Sequence, residues 1–307
     1  MIWRWRRASL QWSILIAAPA GDAGLAWGDT WFADDLARAL RRLGQRVDVV
    51  PALEGKTPAC QDDDVVVVLR GTRRFKRRKG HSVWFLWVIS HPDRVTEEEM
   101  ASYDCVFAAS TTWKSRDIEV VPLLQASNPA RFNPDRAVPG TGERVLFVGS
   151  TRTNYRPNRP ILKAAIDHGF EPAVYGRGWT DLIDGRFIRG DYLPNDEVGK
   201  AYRSAGVVLN DHWEDMAREG FLSNRLFDAV ASGASVVSDN AAGLEAVFGD
   251  AVVTYVSPGE LGTAIAVARA KTEAAKRADA RHIHAEHSFD ARAHTLLNAA
   301  LLKRRVG

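Results

Sequence analysis

The chain has 307 residues, of which 46% are apolar and 26% charged, with a formal net charge of +3. That length suits two domains of about 150 residues each, and the composition is globular. No apolar run approaches the roughly 18 residues of a membrane-spanning helix, and the two cysteines, Cys60 and Cys105, exclude a disulfide framework and lack metal-site spacing. The opening segment, MIWRWRRASLQW, is basic but has neither the long apolar core nor the cleavage site of a secretory signal, so the reducing cytoplasm is the expected compartment.

In chain order, Ser13–Ala17 reads as a strand and residues 19–29 as a loop. Thr30–Leu43 is an amphipathic helix stopped by Gly44. Val47–Val50, Val65–Leu69 and Val83–Ile89 are strands, the last apolar throughout and hence expected to be buried on both faces. Glu97–Ser102 is a short helix, Cys105–Ala108 a strand, Thr111–Arg116 a helix start and Val120–Leu124 a strand. Residues 126–143, ASNPARFNPDRAVPGTGE, lose all apolar period and read as an interdomain linker.

The alternation then restarts. Val145–Val148 and Ala173–Tyr175 are strands around a helix at Pro160–Asp167, and Asn195–Arg203 is a helix before the strand Val207–Leu209. The pair Glu219-Gly220 opens a helix with an apolar face at Leu222, Leu226, Ala229 and Val230, stopped by Gly233. Val236–Val237 and Val252–Val256 are strands, Pro258–Ala275 is a helix, and residues 276–303 are helical with one break at Ser288-Phe289-Asp290. Strands alternating with helices predict α/β architecture: two doubly wound Rossmann-like domains facing a central cleft. The expected boundaries are 1–125, a linker at 126–143, 144–280, and a helical segment at 281–307 placed to pack back on the N-terminal domain.

Several strand ends carry groups suited to a phosphate-bearing ligand. Gly21, Gly24 and Gly28 follow the first strand and precede Asp29, but a G-x-G-x-x-G fingerprint is absent, and a plain glycine loop with Asp29 as helix cap fits equally. Gly149-Ser150, followed by Arg152, Arg156 and Arg159, makes a diphosphate clamp if the arginine forks point inward, and surface arginines otherwise. Tyr175-Gly176-Arg177-Gly178-Trp179 shapes a base pocket or is a glycine turn with a packed tryptophan. Ser223, Asn224 and Arg225 sit early in the helix after Glu219, with Glu219 or Asp228 available to sugar or ribose hydroxyls. His91, in ISHPD, follows a buried strand and is a candidate to hydrogen-bond a sugar hydroxyl or stabilise developing charge; Asp93 beside it is a base or a cap.

Other clusters carry less. Asp62-Asp63-Asp64 precedes a strand and reads as a solvated turn, and His282, His284 and His287 lack acidic partners, so no metal site is assigned. The basic runs Arg4, Arg6, Arg7 and Arg73, Arg74, Lys76, Arg77, Arg78, Lys79 read as solvated faces, with peripheral contact to anionic lipid the alternative role and no nucleic-acid partner expected.

With these residues in view, the chain resembles nucleotide-sugar glycosyltransferases of the two-Rossmann-domain (GT-B) class. It is most similar to the spore-maturation-type (CgeB-like) group with a glycosyltransferase family 1 C-terminal domain. The likeness spans WGDTWFADDLARALRRLGQRVDVV, ISHPD, YDCVFAASTTW, VVPLLQASNPARFNP, RVLFVGS, VYGRGW and GFLSNRLFDAVASGASVVSDNAAGLEAVF. It implies a cytoplasmic transferase, peripheral to a membrane if the basic segments engage lipid, that moves sugar from a nucleoside-diphosphate donor to an unknown acceptor without a metal or cofactor. By position, Gly28 would approach the donor phosphates and His91 the donor sugar. Gly149, Ser150 and Arg152 would line the diphosphate, Gly176 and Trp179 would border the base, and Glu219, Gly220, Asn224, Arg225 and Asp228 would hold phosphates and ribose. Many retaining members carry two glutamates separated by seven residues; here Phe227 stands where the second would be, and Arg225-Leu226-Phe227-Asp228 is closer to an R-x-F-E helix. Inversion, with Asp93 or His91 as base, and retention both stay open, as do a nucleotide-sugar epimerase and a non-catalytic nucleotide-sugar-binding protein.

Overall fold

A computed structural model describes residues 9–52, 60, 63–138, 145–151 and 159–306. The chain forms two compact units: residues 1–124 with 289–307, and residues 125–288.

The first unit is built on a parallel six-stranded sheet of β1 (Gln11–Leu15), β2 (Arg46–Val50), β3 (Val65–Arg70), β4 (Val83–Val88), β5 (Cys105–Ala108) and β6 (Val120–Pro122), in the order β2-β1-β3-β4-β5-β6. Every residue of β3 and β4 is buried, as their unbroken apolar runs require of central strands covered on both faces. The helices are α1 (Asp22–Leu25), α2 (Gly28–Arg42) and α3 (Glu97–Ala101). Phe32, Ala33, Leu36, Ala37, Ala39 and Leu40 form the buried stripe of α2, and Gly44 leaves it with φ 83°. The helix start expected at Thr111 is a serine turn instead: Ser110 Oγ accepts the amides of Thr112 and Trp113, the local competition that keeps such residues out of helices. Part of the 73–79 basic run is tied down, since Phe75 is buried and Arg77 pairs with Asp104 at 3.0 Å.

The second unit carries β7 (Val145–Val148), β8 (Pro172–Tyr175), β9 (Ile188–Gly190), β10 (Val207–Asn210), β11 (Val236–Asp239) and β12 (Val252–Tyr255), all parallel, in the order β12-β11-β10-β7-β8-β9. Numbered within the unit this is the 3-2-1-4-5-6 order of dinucleotide-binding sheets. Around it lie α4 (Pro160–Asp167), α5 (Asn195–Ser204), α6 (Glu214–Glu219), α7 (Asn224–Ala231), α8 (Leu244–Phe248), α9 (Leu261–Ala270) and α10 (Glu273–Glu286). The expected single helix from Pro258 to Ala275 is broken because Thr272 caps α10, its hydroxyl accepting the Ala275 amide. The last helix, α11 (Phe289–Val306), groups with the first unit, where Phe289 meets Phe32 edge-on at 4.8 Å and Asp290 pairs with Arg42 at 2.6 Å.

Two boundaries differ from expectation. The described part of the 126–143 segment is an integral piece of the second unit: Ala126 and Ser127 are buried, the Ser127 amide donates to the His287 carbonyl, and Phe132 stacks on Tyr202. A proline- and asparagine-rich stretch has no apolar period to betray this, because its anchors are backbone groups and isolated rings. The chain also leaves the second unit at residue 288, not 280. Among the described residues no helix is long and apolar enough to cross a membrane, and no cluster of three potential metal ligands occurs.

Candidate functional site

In the second unit β7 and β10 are neighbours, and the chain runs from β7 toward one edge of the sheet and from β10 toward the other. Such a reversal point is where open α/β sheets take ligands, beyond the strand C-termini. Three consecutive residues after β10 organise it. Asn210, fully buried, donates to Ser238 Oγ at 2.9 Å and accepts from Arg225 Nη1 at 2.7 Å. Asp211 accepts from Arg159 Nη1 at 2.5 Å, both side chains being buried. His212 bonds through Nδ1 to Asp239 Oδ1 at 2.6 Å and accepts the Ser223 amide on Nε2 at 3.1 Å. That second bond fixes the tautomer, with the proton on Nδ1. Burial pushes the Asp239 carboxyl up, but the His212 side-chain and amide bonds and the Ser238 hydroxyl outweigh it and hold the group below its ordinary value.

The arginines meet under the loop after β7. Arg225, on the first turn of α7, donates through Nε to the Val148 carbonyl at 3.1 Å, and its guanidinium lies 5.1 Å from the Phe147 ring centre. Arg159 approaches the same ring at 5.4 Å and donates to the Ser150 carbonyl at 3.1 Å. A Cβ on Gly149 would stand 2.9 Å from Arg225 Nη2 and 3.5 Å from Arg159 Nη2, so glycine is needed for the loop to lie over both forks. Arg159 has its carboxylate in Asp211. Arg225 has no ion pair with any carboxylate among the described residues; its hydrogen-bond acceptors are neutral. A half-buried guanidinium held by neutral acceptors retains its charge for an incoming anion. Beside it, the Ser223 side chain makes no capping bond at the start of α7.

The other expected residues are placed as follows. Ser150 accepts the Arg177 amide on its hydroxyl, strapping the loop after β7 to the loop after β8. Gly176, with φ 148°, packs so tightly that a Cβ would lie 2.2 Å from the Gly149 carbonyl oxygen. Trp179 is 1% exposed, its indole N–H donating to that same carbonyl at 2.9 Å and its ring edge-on to Phe147. A ring packed in this way offers no open face to a base, so Trp179 supports the loop from beneath rather than stacking on a ligand. Asn224 donates to Asp228 Oδ2 at 2.8 Å, coupling the two. Glu219 and Gly220 do not open the helix as expected: Glu219 ends α6, where Arg218 meets it at 2.9 Å, and Gly220 is the left-handed cap at φ 72°. Arg152 and Arg156, like Arg4, Arg6, Arg7 and Asp62, lie outside the described residues.

In the first unit, His91 is buried and adopts φ 54°, ψ 56° at the end of β4, a left-handed conformation that costs a non-glycine residue about 1–3 kcal/mol. Arg70, paired with buried Glu99 at 2.8 Å, also donates to the Arg94 carbonyl and so fixes the turn that follows His91. Asp93 is exposed on that turn. Gly28 begins α2, and a Cβ there would meet nothing within 4 Å. Asp29, the residue after it, has its carboxyl pushed up to about 6 by burial, against the amides of Ala17 and of Asp29 itself, which lower it.

Residues 152–298 match the model of a family described as glycosyl transferase-like. No curated protein matches the chain by sequence. Among solved structures, AviGT4, a glycosyltransferase involved in avilamycin A biosynthesis, superposes with a TM-score of 0.65 at 17% identity, over 95% of this chain and 97% of its own. Sucrose-phosphate synthase from Thermosynechococcus elongatus gives 0.65 at 14%, covering 97% and 99%. T4 phage BGT in complex with its UDP-glucose substrate gives 0.62 at 14%, covering 95% and 99%. The chain therefore has the α/β fold of GT-B glycosyltransferases, with a glycosyl transferase-like domain over most of its second unit.

Proposed function

We propose that the protein is a glycosyltransferase that binds a nucleoside-diphosphate sugar on its second unit and transfers the sugar to an acceptor engaged by the first. The observation that carries this reading is Arg225: a positioned guanidinium with neutral protein acceptors, at the reversal point of a 3-2-1-4-5-6 sheet, beside an uncapped helix start. Breaking the glycosidic bond leaves negative charge on the diphosphate. Arg225 and the first-turn amides of α7 supply positive potential there, which makes a divalent cation dispensable in this proposal. Gly149 and Ser150 bring backbone to the phosphates, while Asn224 and Asp228, joined to each other, and Glu219 face ribose or sugar hydroxyls. In the first unit Gly28 faces phosphate, and His91, held in its strained turn, stabilises charge on the sugar. Membership of the spore-maturation-type group rests on the sequence resemblance alone.

The test is a thermal-shift panel of uridine, guanosine, adenosine and thymidine diphosphate sugars, with EDTA and with Mn2+. A bound donor at 100 times its Kd stabilises by about 2.7 kcal/mol. A shift from one donor family that survives EDTA supports the reading. No shift with any donor overturns it, and a shift that requires Mn2+ overturns the cation-independent part.

A further inference from the structure

Arg225 and the start of α7 are held from behind by two hydrogen-bond arms that end on the same carboxylate. Asn210, the last residue of β10, and Ser238, its register partner on β11, are both fully buried. In the first arm Arg225 Nη1 donates to Asn210 Oδ1 at 2.7 Å, Asn210 Nδ2 to Ser238 Oγ at 2.9 Å, and Ser238 Oγ to Asp239 Oδ1 at 3.1 Å. The second arm starts two residues before Arg225. The Ser223 amide donates to His212 Nε2 at 3.1 Å, and His212 Nδ1 bonds to Asp239 Oδ1 at 2.6 Å. The His212 amide adds a bond to Asp239 Oδ2 at 2.9 Å.

The direction of every bond is forced from the two ends. A guanidinium and a backbone amide can only donate, and an ionised carboxylate can only accept. Asn210 must therefore turn its oxygen to Arg225 and its nitrogen to Ser238, whose single proton is left for Asp239. The same logic puts the His212 proton on Nδ1. Both arms run one way, from α7 to Asp239, and no member can reverse without setting donor against donor. With Nε on the Val148 carbonyl and Nη1 on Asn210, the Arg225 fork is pinned at two nitrogens.

We infer that Ser238, His212 and Asp239 are positioning residues of the diphosphate site, acting through Arg225 and Ser223 rather than on the ligand. The inference rests on the glycosyl-transfer reading above. Ser238 is its most exposed link to experiment, because its hydroxyl joins Asn210 to Asp239. Without that hydroxyl the Asn210 amide loses the partner that fixes its orientation. It can then turn its nitrogen toward Arg225, and the fork swings about its remaining bond to Val148. A fork that must be ordered on binding holds an anion less tightly than one already in place.

The experiment measures affinity by titration calorimetry, using inorganic pyrophosphate and the nucleoside diphosphate of the donor that gives the largest thermal shift. Wild type, Ser238→Ala and Ser238→Thr are compared. Ser238→Ala is expected to weaken both ligands by about 10-fold, the loss of one net hydrogen bond. Ser238→Thr keeps the hydroxyl while crowding a fully buried site, so it is expected to lower the melting temperature yet keep most of the affinity. Affinity would then follow the hydroxyl and not the stability, which a merely structural serine would not give. In the Arg225→Met background Ser238→Ala is expected to change affinity by less than about 2-fold, because the group it positions is gone. If Ser238→Ala does not fold, Ser238→Cys, which keeps the shape and weakens the bonds, takes its place. Equal affinity in wild type and the alanine variant, an equal loss in the threonine variant, or an undiminished loss in the Arg225→Met background overturns the inference and leaves the glycosyl-transfer reading standing. No binding of either ligand by wild type overturns both.

Discussion

Replacing Asp29 by Asn should make the protein more stable at pH 8 and leave it unchanged near pH 3. The folded-state value of this carboxyl, about 6, lies above its ordinary 3.8. The folded state therefore holds the proton more tightly than the unfolded one. Stability from that proton is fully present below 3.8 and is lost as pH rises through about 6, above which the ionised group weighs on the fold. At 1.36 kcal/mol per pKa unit the displacement amounts to at most ~3 kcal/mol. Partial exposure of the side chain screens this to roughly 1–2 kcal/mol. Asn keeps the shape and, through Oδ1, the bond from Ala17, but carries no charge. For a unit of this size each kcal/mol moves the melting temperature by about 2–4 °C. Scanning calorimetry of both proteins at pH 3 and pH 8 reads the effect. A variant less stable at pH 8, or one equally stabilised at both values, would refute the argument, because either result means the carboxylate is not disfavoured where it sits.

Arg225→Met removes donors from Val148 and Asn210 but also removes a charge held by neutral acceptors, so the ligand-free melting temperature should move only a few degrees, while nucleoside-diphosphate affinity by titration calorimetry should fall by about 10–100-fold. Unchanged affinity would show that Arg225 is structural only. Gly149→Ala, whose Cβ would press on Arg225 Nη2 at 2.9 Å, should weaken the same binding in wild type and add little in the Arg225→Met background, the non-additivity expected of groups acting as one. Because His212 holds the Asp239 carboxyl below 3.8, its contribution is present above that value and lost as pH falls beneath it. Asp239→Asn should flatten the acid limb of stability below pH 4 and speed hydrogen exchange at the Ser223 amide; an unchanged acid limb would remove the pair from the account.

The sheets were legible because their strands carry the signal themselves: VVVVLR and VWFLWV are buried at every position and could not be read as surface. The site was legible only as a set of strand ends. Asn210, Asp211 and His212 stood in view as a polar loop, but their meaning depends on partners far along the chain, Arg225, Arg159 and Asp239, which no local pattern names. A usable signal was present, since three consecutive polar residues directly after a buried strand must find partners if they are buried. Glu219-Gly220 misled because glycine opens and closes helices, and only its left-handed backbone shows which it does here. Trp179 fitted both a base pocket and a packed turn because aromatics flanking a pair of glycines serve either; the indole bond to Gly149 decides for the turn.

Fold alone does not assign an activity, and many chemistries share doubly wound sheets. What argues for a diphosphate-bearing ligand is the electrostatics of the reversal point in the second unit. In the second unit the group left uncompensated is a guanidinium, Arg225, suited to a leaving diphosphate. In the first unit the carboxyl of Asp29 is pushed up by burial, against the amides of Ala17 and of Asp29 itself, which lower it. Asp29→Asn is therefore expected to gain stability above pH 6 whatever its effect on ligand binding.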